Sequence, residues 1–229
     1  MDRETMKLIK ADLKDDMKKR GFKTEGQWYL RLAGEIYQTV YFQGYSGGDS
    51  FCVNIGLIPL CAGNTTVKSY DLQVRLGDLA YGHDEWWDYT PKSANKVAEL
   101  MRTVALPILD KCVTYRGWYE FLRSPTMANR YFPTEHCVNA LIKINDLEAA
   151  RLELTGRISS LQKGIAEYDP NDPRDAYYIN LDTNYINELR DTLAKIESGD
   201  LDDVKAQIEQ NEKRSLDALA KYNVKTQKG

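Results

Sequence analysis

The sequence predicts an α+β fold: an antiparallel four-stranded meander sheet with flanking helices, followed by an antiparallel helical C-terminal extension. Three observations predict it. Residues 28–57 alternate apolar and polar positions through WYLRLAGEIYQTVYFQGYSGGDSFCVNIGL, with a glycine-rich break at 44–49. Alternation marks strands, because successive side chains leave a strand on opposite faces. The connections between the first three strands are too short for a parallel crossover, which leaves an antiparallel meander. Late in the chain the apolar period changes from that of strands to that of helices.

The elements follow in order. Residues 3–20 place Met6, Ile9, Leu13 and Met17 on one helical stripe, with Lys18, Lys19 and Arg20 in the last turn and Gly21 as the stop. The basic run reads as a solvated helix end. A first strand over 27–33 sets Trp28, Leu30 and Leu32 against Tyr29 and Arg31. After a turn at 34–35, a second strand over 36–45 sets Ile36, Gln38, Val40 and Phe42 against Tyr37, Thr39, Tyr41, Gln43 and Tyr45. A third over 51–57 sets Phe51, Val53, Ile55 and Leu57 against Cys52 and Asn54. A fourth over 70–76 sets Leu72, Val74 and Leu76 against Asp71, Gln73 and Arg75.

A mixed loop, GDLAYGHDEWWDYTPK, occupies 77–92. Helix 92–112 carries Val97, Met101, Val104 and Ile108, with Pro91 near its start and Pro107 placed to kink it. A short helix covers 115–122. Ser124, Pro125 and Pro133 punctuate a boundary between a sheet domain, 1–124, and a helical extension, 133–222.

In the extension, Leu147, Leu154, Ile158, Leu161, Ile165 and Tyr168 form one apolar seam over 147–168. A loop with Pro170 and Pro173 is expected over 169–182, then a second stripe of Ile186, Leu189, Leu193 and Ile196 over 183–198. Gly199 and Asp200 end that helix, and Leu201, Val204, Ile208, Leu216 and Leu219 start a third. Intrachain hairpin packing is the expected arrangement. A stripe this narrow also suits a homodimer seam.

The segments GFK at 21–23, WYLR at 28–31, YFQ at 41–43, F-x-V-N-I-G-L at 51–57, R-L-G-D-L at 75–79 and the pair Trp86, Trp87 resemble a small bacterial domain-of-unknown-function family catalogued under the number four-three-zero-four. The resemblance covers about residues 5–120. It implies an α+β domain and brings no catalytic residues.

The net charge of −3 argues against a nucleic-acid partner, which usually needs a basic footprint. Neither a secretory apolar core nor a membrane-length apolar run is visible, so a cytoplasmic location is expected. None of the four cysteines sits at C-x-x-C spacing, so no metal or cofactor is expected and buried free thiols are.

No nucleophile elbow, P-loop or dinucleotide fingerprint is present. Cys137 adjoins His136, but sequence neighbours on a helix point in different directions. The expected function is therefore non-catalytic protein binding, with a bacterial immunity or antitoxin protein as its concrete form. The expected contact residues are Tyr29, Arg31, Tyr37, Tyr41, Gln43, Tyr45 and Arg75 on one sheet face, with His83, Trp86 and Trp87 from the loop. Tyrosine, tryptophan and arginine combine apolar area with donors and dominate binding hot spots. Two alternatives remain open: an enzyme of unknown class using the loop from His83 to Trp87, and stacking of single-stranded nucleic acid on the tyrosine face. Whether the C-terminal helices cover that face is also open.

Overall fold

The structure is a computed structural model, and it describes residues 3–68, 73–127 and 132–224. Its class is α+β. The strands are β1 (Lys23–Glu25), β2 (Trp28–Ala33), β3 (Ile36–Gly44), β4 (Ser50–Pro59), β5 (Gln73–Arg75) and β6 (Trp87–Asp88). The first five lie side by side in chain order, every pair antiparallel, and β6 pairs with the start of β4. The short strands β1 and β6 extend the expected meander. Expected strand positions 70–72 lie outside the described residues, and Leu76 opens a helix instead of ending a strand.

The hairpin register fixes which residues share a face. Ala33 pairs with Ile36 across the two-residue turn at 34–35, so odd positions of β2 pair with even positions of β3. Tyr29 therefore lies opposite Val40, and Arg31 opposite Gln38. This corrects the expectation that Tyr29 and Arg31 share a face with Tyr37 and Tyr41. Those tyrosines share theirs with Trp28, Leu30 and Leu32.

Each face has a cover. Tyr29, Val40, Phe42, Phe51, Val53, Ile55, Leu57 and Val74 meet α1 (Arg3–Lys19), α3 (Pro91–Leu100), α4 (Leu106–Lys111) and α5 (Tyr115–Leu122) in the main core. Val104, on the apolar stripe of helix 92–112 by its spacing, is only partly buried. Between α3 and α4 the residues 101–105 form a π-helical turn. Pro107 has no N–H for the carbonyl one turn back, and a wider turn just before it accommodates the mismatch.

The opposite face holds a second, smaller core of Trp28, Leu30, Leu32, Tyr37, Ile58 and Leu60 under Val67, Ala218, Leu219 and Val224. Its roof comes from α9 (Asp202–Ala220) and the residues after it. Ser215 Oγ donates to the Leu60 carbonyl at 2.9 Å, and Asn211 Nδ2 to the Cys61 carbonyl at 3.2 Å. The Tyr115 hydroxyl donates to Glu212 at 2.6 Å, which ties α9 to α5. The C-terminal helix thus covers half of the tyrosine face.

Before α9 come α6 (Thr134–Lys143), α7 (Leu147–Ile165) and α8 (Pro173–Ser198). α8 begins ten residues earlier than the stripe alone suggested. Asp172 caps it through the Arg174 N–H at 2.8 Å, and Pro173 sits at its first position. None of the helices among the described residues is long and apolar enough to cross a membrane.

Candidate functional site

The uncovered end of the second face carries the most chemically varied surface of the sheet. A row crosses four strands there: Trp28 opposite Tyr41, Tyr41 opposite Asn54, and Asn54 opposite Arg75. The Trp28 and Tyr41 rings stack at 4.2 Å. The Asn54 amide donates to Gln43 Oε1 at 3.0 Å, which holds both polar side chains flat on the sheet.

Arg75 ends β5 and leads into α2 (Leu76–Tyr81), a helix the sequence reading missed. Its backbone N–H donates to Asp78 Oδ2 at 3.3 Å, which starts that helix. The loop after α2 folds back across Gly77, where an added Cβ would stand 2.6 Å from the Glu85 nitrogen. Only a glycine admits that approach, and the approach returns Asp84 and Trp86 to Arg75. The guanidinium then ion-pairs with Asp84 and lies 4.9 Å from the centre of the Trp86 indole. The indole N–H donates to the same Asp84 carboxylate at 3.2 Å. Tyr45, 52% exposed, packs edge-on against Trp86 at 5.6 Å. His83 stacks on Tyr81 at 5.8 Å beside this group.

The expected contact residues thus divide. Tyr45, Arg75, His83 and Trp86 come together at one corner, with Gln43 and Tyr41 leading into it. Tyr37 is buried under α9, its hydroxyl donating to the Val67 carbonyl at 2.9 Å. Trp87 belongs to the main core, tilted against Phe51 at 6.1 Å. It caps the core and is not presented as a contact residue, whereas Trp86 is only partly buried. Tyr29 and Arg31 are buried on the opposite face. Asp84 and Tyr81 complete the corner. Only the charge of Asp84 marked it in sequence, and nothing marked Tyr81.

His83 Nδ1 lies 3.8 Å from Glu85 in an exposed loop. Cys61 Sγ approaches the His136 carbonyl and not its ring, and burial pushes the Cys61 thiol up. Burial also raises Cys137 to about 12, so neither thiol is poised to ionise. Cys52, beside Asn54, is pushed up by burial, with Arg75 opposing the shift. Among the described residues no group of three or more His, Cys, Asp or Glu side chains is placed to hold a metal ion.

Residues 13–111 match the family model described as "Domain of unknown function (DUF4304)". The match contains the sheet and the whole Arg75 corner and ends at the last residue of α4. None of the curated proteins or solved structures compared with the chain matches it.

Proposed function

We propose, on the premise that residues 13–111 carry the DUF4304 domain, that the protein is a non-catalytic protein-binding module whose contact surface is the Tyr45–Arg75–Trp86 corner. One observation carries the reading: a half-exposed tyrosine, a tryptophan and an arginine are packed against one another at the open end of a sheet face whose other end is roofed. These three residue types are the ones enriched at binding hot spots. Asp84 holds Arg75 and Trp86 in place before any partner arrives, so little side-chain entropy remains to be lost on contact. A bacterial immunity or antitoxin protein is the concrete form of this reading, supported by analogy of family type.

The enzyme alternative finds less support, because His83 faces solvent and, among the described residues, its nearest carboxylate contact, Glu85, stands at 3.8 Å. Base stacking also finds less, because the Arg75 charge is already met by Asp84.

The test starts from a photo-crosslinker at position 45, used to identify the partner in extracts of the source cells. Arg75→Ala and Trp86→Ala are each expected to weaken binding of that purified partner about 30-fold, the scale of a 2 kcal/mol hot spot, with the melting temperature nearly unchanged. Wild-type affinity in both variants overturns the reading.

A further inference from the structure

The hairpin of α7 and α8 presents a second surface, distant in sequence from the corner and using none of its residues. α8 leans on α7 through Ile186, Leu189 and Ile196, all buried. Its outward stripe carries Tyr177, Leu181, Glu188 and Asp191, spaced so that they share one helical face. Tyr177 is 65% exposed and Leu181 52%. Tyr178 stands edge-on to Tyr177 at 5.5 Å and stacks on Tyr168 at 6.1 Å, which braces the aromatic end of the stripe.

The charge around this patch is one-sided. Residues 167–191 contain seven carboxylates and two arginines, with no lysine, while the whole chain nets only −3. The remainder of the chain is therefore slightly positive, and the acidity is concentrated on this arm. Arg174, 88% exposed in its side chain, stands 3.7 Å from Asp172 and screens little of it.

We infer that this arm docks the basic surface of another protein. Tyr177, Tyr178 and Leu181 would supply the apolar contact, and Glu188 and Asp191 would meet its lysines and arginines. The charge argues against the other occupants. A symmetric contact with a second copy would set identical acidic stripes face to face. Nucleic-acid phosphates and anionic lipid headgroups would meet the same repulsion.

The test uses the full chain with a photo-crosslinking benzoyl-phenylalanine at position 181, in extracts of the source cells. Crosslinked protein is identified, purified and titrated against wild type and three variants at low and high salt. The expected partner has a basic surface, and its affinity falls steeply with salt. Tyr177→Ala is expected to weaken binding at least about 10-fold. The double change Glu188→Lys with Asp191→Lys is expected to weaken it as much and to flatten the salt dependence. These three exposed changes leave the melting curve in place, so loss of binding is not loss of fold. Crosslinks only between copies of the chain, an acidic or neutral partner, no crosslink above background, or full affinity after charge reversal each overturn the inference. Trp86→Ala separates the two surfaces: binding lost in Trp86→Ala and kept in the charge-reversed variant assigns the contact to the corner and also overturns it.

Discussion

The Arg31 guanidinium donates to Asp110 at 2.9 Å and joins β2 to α4 through the helix-covered face of the sheet. The two partners sit in different surroundings: the Arg31 side chain is 5% exposed and Asp110 41%. Arg31 also donates to Gln38 Oε1 at 2.7 Å and to the Arg20 carbonyl at 3.1 Å. A residue expected at a binding surface is instead the polar centre of the interior.

That asymmetry predicts unequal losses. Arg31→Met leaves the fully buried Gln38 Oε1 without its donor, and an orphaned buried acceptor costs about 1–3 kcal/mol. Asp110→Asn removes a charge that water already reaches, and is expected to cost under about 1 kcal/mol. Denaturant unfolding of both variants checks the order. Equal losses would show that the ion pair, and not the buried amide contact, dominates.

A second prediction concerns acid. Arg102 donates to Asp16 at 2.7 Å, and this bond, with Arg20 assisting, holds the Asp16 carboxyl below the usual aspartate range. Arg116 does the same for Asp146, which also caps α7 through the Ala149 N–H. A carboxyl whose folded pKa is depressed stabilises the fold above its unfolded value, and that contribution is lost as pH falls through the folded one. Asp16→Asn is therefore expected to be less stable than wild type near neutrality. The difference should close as pH falls from neutrality through the ordinary aspartate range and then through the lower folded value. Urea midpoints measured across that range check it, and a difference that stays constant would remove the linkage. Salt should shrink the neutral-pH difference, because both groups are partly exposed.

The strands were legible because alternation survives wherever one face is more apolar than the other. The sidedness of β2 was not, because all six of its residues are buried and both faces are covered. There the two-residue turn at 34–35 carried the information, through the parity it imposes on the register. α2 spans six residues, under two turns, and leaves no period to read. The start of α8 did have a signal, Asp172 followed by Pro173, which read as a loop only because Pro170 lies nearby. The corner could not be read locally. Arg75 and Trp86 are eleven positions apart and meet because Gly77 lets the loop cross α2.

The turn that sets the β2 register supplies a third prediction. Gly34 has φ of +58°, and a Cβ there would stand 2.3 Å from the Val113 carbonyl oxygen. That oxygen accepts the Glu35 N–H at 2.9 Å, so it cannot retreat without breaking the bond. Gly26 has nearly the same φ, +62°, with nothing within 4 Å. Gly26→Ala is expected to cost about 1–2 kcal/mol, the penalty of a left-handed residue with a side chain. Gly34→Ala is expected to cost at least about 1–3 kcal/mol more, for the displaced backbone bond. Chemical denaturation of the pair checks the difference, and equal losses would place the Val113 carbonyl elsewhere.

The last prediction concerns Tyr41, which sits at the border between the roofed and open halves of the second face. It stacks on Trp28 with ring planes 16° apart and is partly buried against the smaller core. A fully buried aromatic truncated to alanine costs about 3–5 kcal/mol, and an exposed one stays within about 0.5 kcal/mol. Tyr41→Ala is expected to fall between, at about 2 kcal/mol, because only one ring face is packed on Trp28 under the α9 roof. Its effect on binding should differ in kind from that of Trp86→Ala. Tyr41 supports the corner from behind, so the folded fraction of Tyr41→Ala should bind the partner with nearly unchanged affinity. Trp86→Ala should keep its stability and lose affinity. Calorimetric melting and titration of the same two samples separate stability from contact. A Tyr41→Ala variant of full stability and sharply reduced affinity would move the working surface from the corner toward the middle of the face.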